Sequence, residues 1–278
     1  MRLPFQSKPE PEPLRQPLPT VVPRIASLDV AAQYCATPMG GDFYDFLEVG
    51  PGLLLVLLID IAGERNQALS VAAAVQEAIH RRGPELFASD VLNEPDAVTS
   101  LTLEINQTIL SAAGGVRCAS AFFGCYNEEL GIISYVNPGH VPALVRDPTG
   151  ITLLETSGLP LGLFSHATHD AMVCALQPGA VLALATRGLL GAKVRGEEYG
   201  LERLKTSLAA APGRGAYDIC KKMLADAVEF VEQGKKPGFL RRRYLGNRMG
   251  GSDLPGINDM AAVALVHKSA KPAQATAD

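Results

Sequence analysis

Gly40-Gly41-Asp42-Phe43-Tyr44-Asp45 is the stretch on which the reading of the fold turns. Two glycines let the backbone turn at the end of a strand, and the two acids that follow lie three residues apart. Eighteen residues beyond Asp42, the apolar run Leu53–Ile59 ends in Asp60, within Ile59-Asp60-Ile61-Ala62-Gly63. A carboxylate at a buried strand end is costly to desolvate unless a cation or a hydrogen-bond donor answers it. Two such acids at two strand ends are how a hard divalent metal site is built from oxygen ligands.

Working outward, the pattern predicts strands at Ile25–Tyr34 and Leu53–Ile61, then a helix over Asn66–Arg82, N-capped by Asn66 and stopped by Gly83-Pro84. A second helix is expected over Asp96–Ala113. A run of strands follows at Cys118–Tyr126, Ile132–Asn137, Ala143–Arg146, Ile151–Glu155, Met172–Ala175 and Val181–Thr186, separated by turn signals such as Asn137-Pro138-Gly139. Helices at Leu201–Ala210 and Ala216–Gln233 and a last strand at Ala261–His267 complete the chain. Paired helices around strand runs, without βαβ alternation, indicate an α+β sheet sandwich with helices outside. Residues 1–23 hold seven prolines, a composition that excludes helix and central strand, and are expected to be a flexible tail with polyproline character. The single folded domain is expected over 24–268, and the small polar segment 269–278 is expected to fray.

The formal net charge of −4 gives no phosphate-neutralising surface, so nucleic acid is not an expected partner. The run Leu53–Ile59 is far short of the roughly 20 residues a membrane span needs. Five cysteines without a CxxC, and an N-terminus without an apolar stretch, point to reduced thiols and a cytoplasmic location.

The opening motif and Asp60 together resemble the bacterial SpoIIE/RsbU group of PPM-type protein serine/threonine phosphatases, with their GGDxYD and DVxGxG signatures. Asn137-Pro138-Gly139-His140-Val141-Pro142 is similar to the family's N-A-G-H-x-P turn, and Gly158-Leu159-Pro160-Leu161-Gly162 to its G-x-P-L-G. Thr186-Arg187-Gly188-Leu189 stands where the family has TDGL, Tyr199–Leu204 where it has FGxxRL, and Asn258-Asp259-Met260-Ala261 where it has D-D-x-T. The resemblance runs from about Ile25 to His267 and implies an αββα sandwich: two central antiparallel sheets flanked by helices, with a two-metal Mn²⁺ or Mg²⁺ centre between them. By position, Asp42, Asp60 and the Ile61 carbonyl would hold one metal, and Asp60 would bridge to the second. A metal-bound water would then attack a phosphoserine or phosphothreonine.

Two of the four aspartates that the resemblance requires are replaced, by Arg187 and Asn258. The four positions carry one net negative charge instead of four, and arginine does not give up its proton. The turn after Asp60 reads Gly63-Glu64-Arg65, without the family's last glycine, and the final threonine is Ala261. Three readings of Arg187 follow. Its guanidinium pairs with Asp60 or Asp42 in place of a metal; or it binds the phosphate of a phosphoprotein; or a one-metal centre persists on Asp42, Asp60 and Asp259. The third needs a register slip that strand alternation opposes.

His166 and His169 read as members of a solvated loop, and His140 as a residue that fixes its turn. Gly234–Arg248, with Lys235, Lys236, Arg241, Arg242, Arg243 and Arg248, reads either as a solvated loop or as a docking surface for an acidic or phosphorylated partner. The expected function is a PPM-fold signalling protein impaired in catalysis, a pseudophosphatase that binds a phosphoprotein or STAS-type regulator, holding Mn²⁺ or Mg²⁺ if any metal. The alternatives are an active metal-dependent phosphatase acting on an anti-anti-sigma factor, and a scaffold that contacts its partner through the proline-rich tail. A homodimer is compatible with all three.

Overall fold

The computed structural model describes residues 15–35, 41–89, 91–112, 118–211, 215–233 and 259–268. The chain runs β1 (Leu28–Cys35), β2 (Asp42–Gly50), β3 (Leu53–Ile61), α1 (Arg65–Phe87), α2 (Glu94–Ala112), β4 (Ala119–Asn127), β5 (Ile132–Val136), β6 (Ala143–Asp147) and β7 (Gly150–Leu154). It continues through β8 (Met172–Ala175), β9 (Val181–Ala185), α3 (Arg187–Leu190), a small ribbon β10 (Lys193–Val194) and β11 (Glu197–Glu198), α4 (Gly200–Ala210), α5 (Ala216–Gln233) and β12 (Met260–His267). Two antiparallel five-stranded sheets result, ordered β1-β12-β9-β6-β7 and β2-β3-β4-β5-β8.

Strand β3 shows how the sequence builds the layers. Its nine residues are almost continuously apolar because both faces are covered. Leu55, Leu57, Ile59 and Ile61 pack against α1 and α2, while Leu54, Val56 and Leu58 face the other sheet. In β12, Met260, Ala262 and Ala264 face α4 and α5, and Ala261, Val263 and Leu265 face inward. Three apolar layers alternate with four structural ones, which is the α+β, αββα sandwich expected from the sequence.

The differences from the sequence reading have local causes. Strand β2 was read only as a turn, since its head is glycine and acid. Its Asp45 turns toward α1, where His80 Nε2 lies 2.7 Å from the carboxylate. Helix α1 does not stop at Gly83-Pro84 but continues to Phe87, with Glu64 rather than Asn66 at its N-cap. Pro84 near the helix end forfeits a single hydrogen bond, and Gly83 lets the helix lie close on Leu55 and Val49. The proline-rich segment, expected to be flexible over 1–23, is held on the body over its described part. The Leu18 amide donates to Gln76 Oε1 at 2.7 Å, Gln76 Nε2 returns a bond to the Leu18 carbonyl at 3.2 Å, and Thr20 Oγ1 donates to the Tyr44 carbonyl. The basic stretch 234–248 and the tail 269–278 lie outside the described residues.

Candidate functional site

Asp42 opens β2 directly opposite Asp60 near the end of β3. Alternation puts both carboxyls on the face shared with Phe46, Leu54, Val56 and Leu58, toward the other sheet. Gly41 is required here by close approach: a Cβ would stand 2.2 Å from the Ile61 carbonyl oxygen and 2.7 Å from Ala68 Cβ. The glycine therefore sets the spacing between Asp42, the Ile61 carbonyl and the start of α1.

The second sheet meets this pair through Thr186, at the end of β9. Its hydroxyl donates to Asp42 Oδ2 at 2.5 Å and accepts the Ala261 amide at 2.9 Å, bonding one sheet to the other. Burial and then the Asp60 charge push the Asp42 carboxyl well above its usual range, against the Thr186 bond that lowers it. Burial raises Asp60 as well, with the Arg187 charge working against that shift and Asp259 adding to it.

Asp259 reaches the site without any register slip. It precedes β12 with the same parity as Ala261, Val263 and Leu265, so it faces between the sheets with Asp42 and Asp60; strand alternation places it inward rather than excluding it. It is almost fully buried and answered twice: Tyr34 Oη donates to Asp259 Oδ2 at 2.5 Å, and Arg65 Nη1 at 3.0 Å. Arg65 Nη1 also lies 3.0 Å from Tyr34 Oη, and its guanidinium stands 6.0 Å from the centre of the tyrosine ring.

The direct pair between Arg187 and Asp60 or Asp42 is not formed. Thr186 turns its own side chain onto Asp42, and Arg187, the next residue, is exposed and makes no ion pair within 4.0 Å among the described residues. Its charge still acts on Asp60. Asn258 lies outside the described residues. Sequence reasoning missed three members of the site. Arg65 was noted only as a lost glycine and Thr186 only as part of a motif. Tyr34, at the end of a strand, gave no signal at all.

His140 is fully buried in its turn, with Nδ1 3.0 Å from the Val141 carbonyl, while Asn137 Nδ2 donates to the Leu154 carbonyl and Thr156 Oγ1 to that of His140. This is the turn-fixing role read from the sequence. His169 differs from expectation: it is buried beside Gly158, and only His166 is exposed. Burial pushes the His140 imidazole down to about 4. Its folded value lies below the ordinary one, so the stability it allows is complete above pH 6.5 and is lost as pH falls toward 4. Between pH 7 and pH 5 the chain should lose about 2 kcal/mol on this account. Urea denaturation checks this: His140→Asn should flatten that slope, while the opposing contributions of Asp42 and Asp60 are common to both proteins and cancel.

The family described as Stage II sporulation protein E (SpoIIE) matches residues 50–237. Protein IcfG of Synechocystis sp. is 23% identical over 219 residues, 69% of this chain and 34% of its own length, so the chain spans about a third of that relative. The RsbU and RsbW domains of Rv1364c from Mycobacterium tuberculosis superpose with a TM-score of 0.63 at 19% identity, covering 88% of this chain and 62% of that one. The PP2C phosphatase domain and regulatory fragment of SpoIIE from Bacillus subtilis give 0.63 at 15% identity, covering 88% and 63%. At such identities the superpositions establish the fold, and the sequence match, which spans more than half of the chain, establishes the lineage: the chain belongs to the SpoIIE family of PPM-type (PP2C) phosphatase domains.

Proposed function

We propose that this PPM domain is impaired in hydrolysis and works in bacterial signalling by binding a phosphoprotein or regulatory partner of the STAS type. PP2C-type phosphatases generally use Mn²⁺ or Mg²⁺. The observation that carries the reading is the way the acids here are already answered from within the protein: Asp259 by Arg65 and Tyr34, Asp42 by Thr186. Arg187 and Asn258 take the positions where the family's second metal would find aspartates. The residues present therefore do not fit a two-metal group. Arg187, exposed and with its charge acting on Asp60, offers the planar donor fork that recognises a phosphoryl oxygen pair.

The second reading, an active Mn²⁺- or Mg²⁺-dependent phosphatase, draws support from Asp42 and Asp60. They face each other in register, and burial makes both costly to ionise, a cost that a dication would remove. Among the described residues no helix is long and apolar enough to cross a membrane; a cytoplasmic location remains part of the proposal. Calorimetric titration with a phosphorylated STAS-type protein tests the binding reading. The phosphorylated form should bind without releasing phosphate, Arg187→Ala should weaken it at least tenfold, and deletion of residues 1–23 should leave it intact. Equal binding of the unphosphorylated form, or loss only on the deletion, would instead support a scaffold.

A further inference from the structure

Arg65 occupies a position that its own helix disfavours. It is the first residue of α1, where the unpaired amides of the first turn carry positive partial charge, and that turn contains no acid to offset it. The neighbouring Glu64 cap is acidic but makes no side-chain capping hydrogen bond. Its guanidinium instead lies on the buried Asp259 carboxylate at 3.0 Å and on the Tyr34 hydroxyl at 3.0 Å. Three elements distant in sequence, the end of β1, the start of α1 and the approach to β12, thus converge on one charge-assisted contact. Asp259 faces the same intersheet space as Asp42 and Asp60, and its charge acts on both. A carboxylate so buried beside two others needs a positive charge close by.

We propose that the Arg65 guanidinium is the resident cation of this acidic centre, holding Asp259 and Tyr34 together and standing in for a metal ion on that side of the site. The inference rests on the impaired-catalysis reading but concerns a different residue from Arg187. It makes Arg65 a positioning residue: it fixes the ends of β1 and β12 against α1 and keeps the space between the sheets closed to a dication. Of Arg65 and Arg187, the exposed Arg187 is then the one available to a partner.

The test is thermal melting of the full chain in EDTA and in millimolar Mn²⁺. The wild type should melt at the same temperature in both, within about 1 °C. Arg65→Ala removes the guanidinium from Asp259 and from Tyr34 together; its melting point should fall by about 10 °C in EDTA. Mn²⁺ should then restore at least half of that fall. The double variant Arg65→Ala/Asp259→Asn, which removes both charges, should recover without responding to Mn²⁺. Stabilisation of the wild type by Mn²⁺ would overturn the proposal, since the centre would take a metal with Arg65 in place. So would an Arg65→Ala variant as stable as the wild type. A fall that Mn²⁺ does not repair, while the double variant recovers, would leave Arg65 a structural tie and refute its standing in for a metal. Hydrolysis of a phosphate ester by the wild type would sink the impaired-catalysis reading separately, because the melting comparison does not measure turnover.

Discussion

Gly41→Ala should destabilise the chain by more than about 4 kcal/mol and abolish any activity of the site, an effect at the far end of what single substitutions do. The methyl group would stand 2.2 Å from a backbone oxygen, that of Ile61, and 2.7 Å from Ala68 Cβ on α1. Neither neighbour is the free end of a flexible side chain. Relief requires the head of β2 to leave β3, where Asp42 faces Asp60 and where the Ile61 amide donates to the Gly41 carbonyl at 3.1 Å. The damage therefore combines overpacking with loss of the pairing that brings the two acids together. Urea denaturation of the purified variant gives the stability change. A variant as stable as the wild type would mean that this junction is looser than the structure has it.

Asn106→Ala should cost about 3 kcal/mol. The side chain is fully buried on α2 and serves a loop nearly sixty residues away: Nδ2 donates to the Phe164 carbonyl at 3.0 Å, and Oδ1 accepts the Gly162 amide at 2.7 Å. Its neighbour Gln107 adds a bond from Nε2 to the Ser165 carbonyl. Alanine would leave the buried Gly162 amide and the part-buried Phe164 carbonyl without these partners, and a void beside them. The loop includes Leu161, which pairs with Ala119 next to the strand end that carries Asp60 and Ile61, so loosening it reaches the site. Limited proteolysis should find new cleavage near Phe164 and His166 in the variant, together with the lowered denaturation midpoint. An unchanged cleavage pattern would show that Gln107 and the Ala119 pairing hold the loop alone.

The layers were legible in the sequence because they depend on periodicity. The apolar runs of β3, β9 and β12 and the helical spacing in α1, α2 and α5 announce burial without reference to distant residues. Strand β2 was not legible as a strand, since Gly41 and Asp42 serve the site and Asp45 is satisfied by His80, a residue that belongs to α1. The continuation of α1 past Gly83-Pro84 is likewise a tertiary effect, settled by what Gly83 and Phe87 pack against. The hold of Gln76 on Leu18 was invisible for the same reason.

At the site, motif order identified Asp42, Asp60 and the oddity of Arg187. It did not show which cation would lie on which acid. That depends on the parity of Asp259 relative to β12 and on a helix start that turns Arg65 back over Tyr34. A pairing assigned from motif positions alone chose Arg187, the more conspicuous replacement, while the contact is made by the residue that displaced a glycine.

Hydrolysis of a generic phosphate ester in Mn²⁺ tests the central claim most directly, with the native chain compared against the double reversion Arg187→Asp/Asn258→Asp. Impaired catalysis predicts an inert native chain and a metal-dependent gain in the reversion. Turnover by the native chain with Mn²⁺ would contradict it and mark the domain as an enzyme with a metal centre different from that of its family.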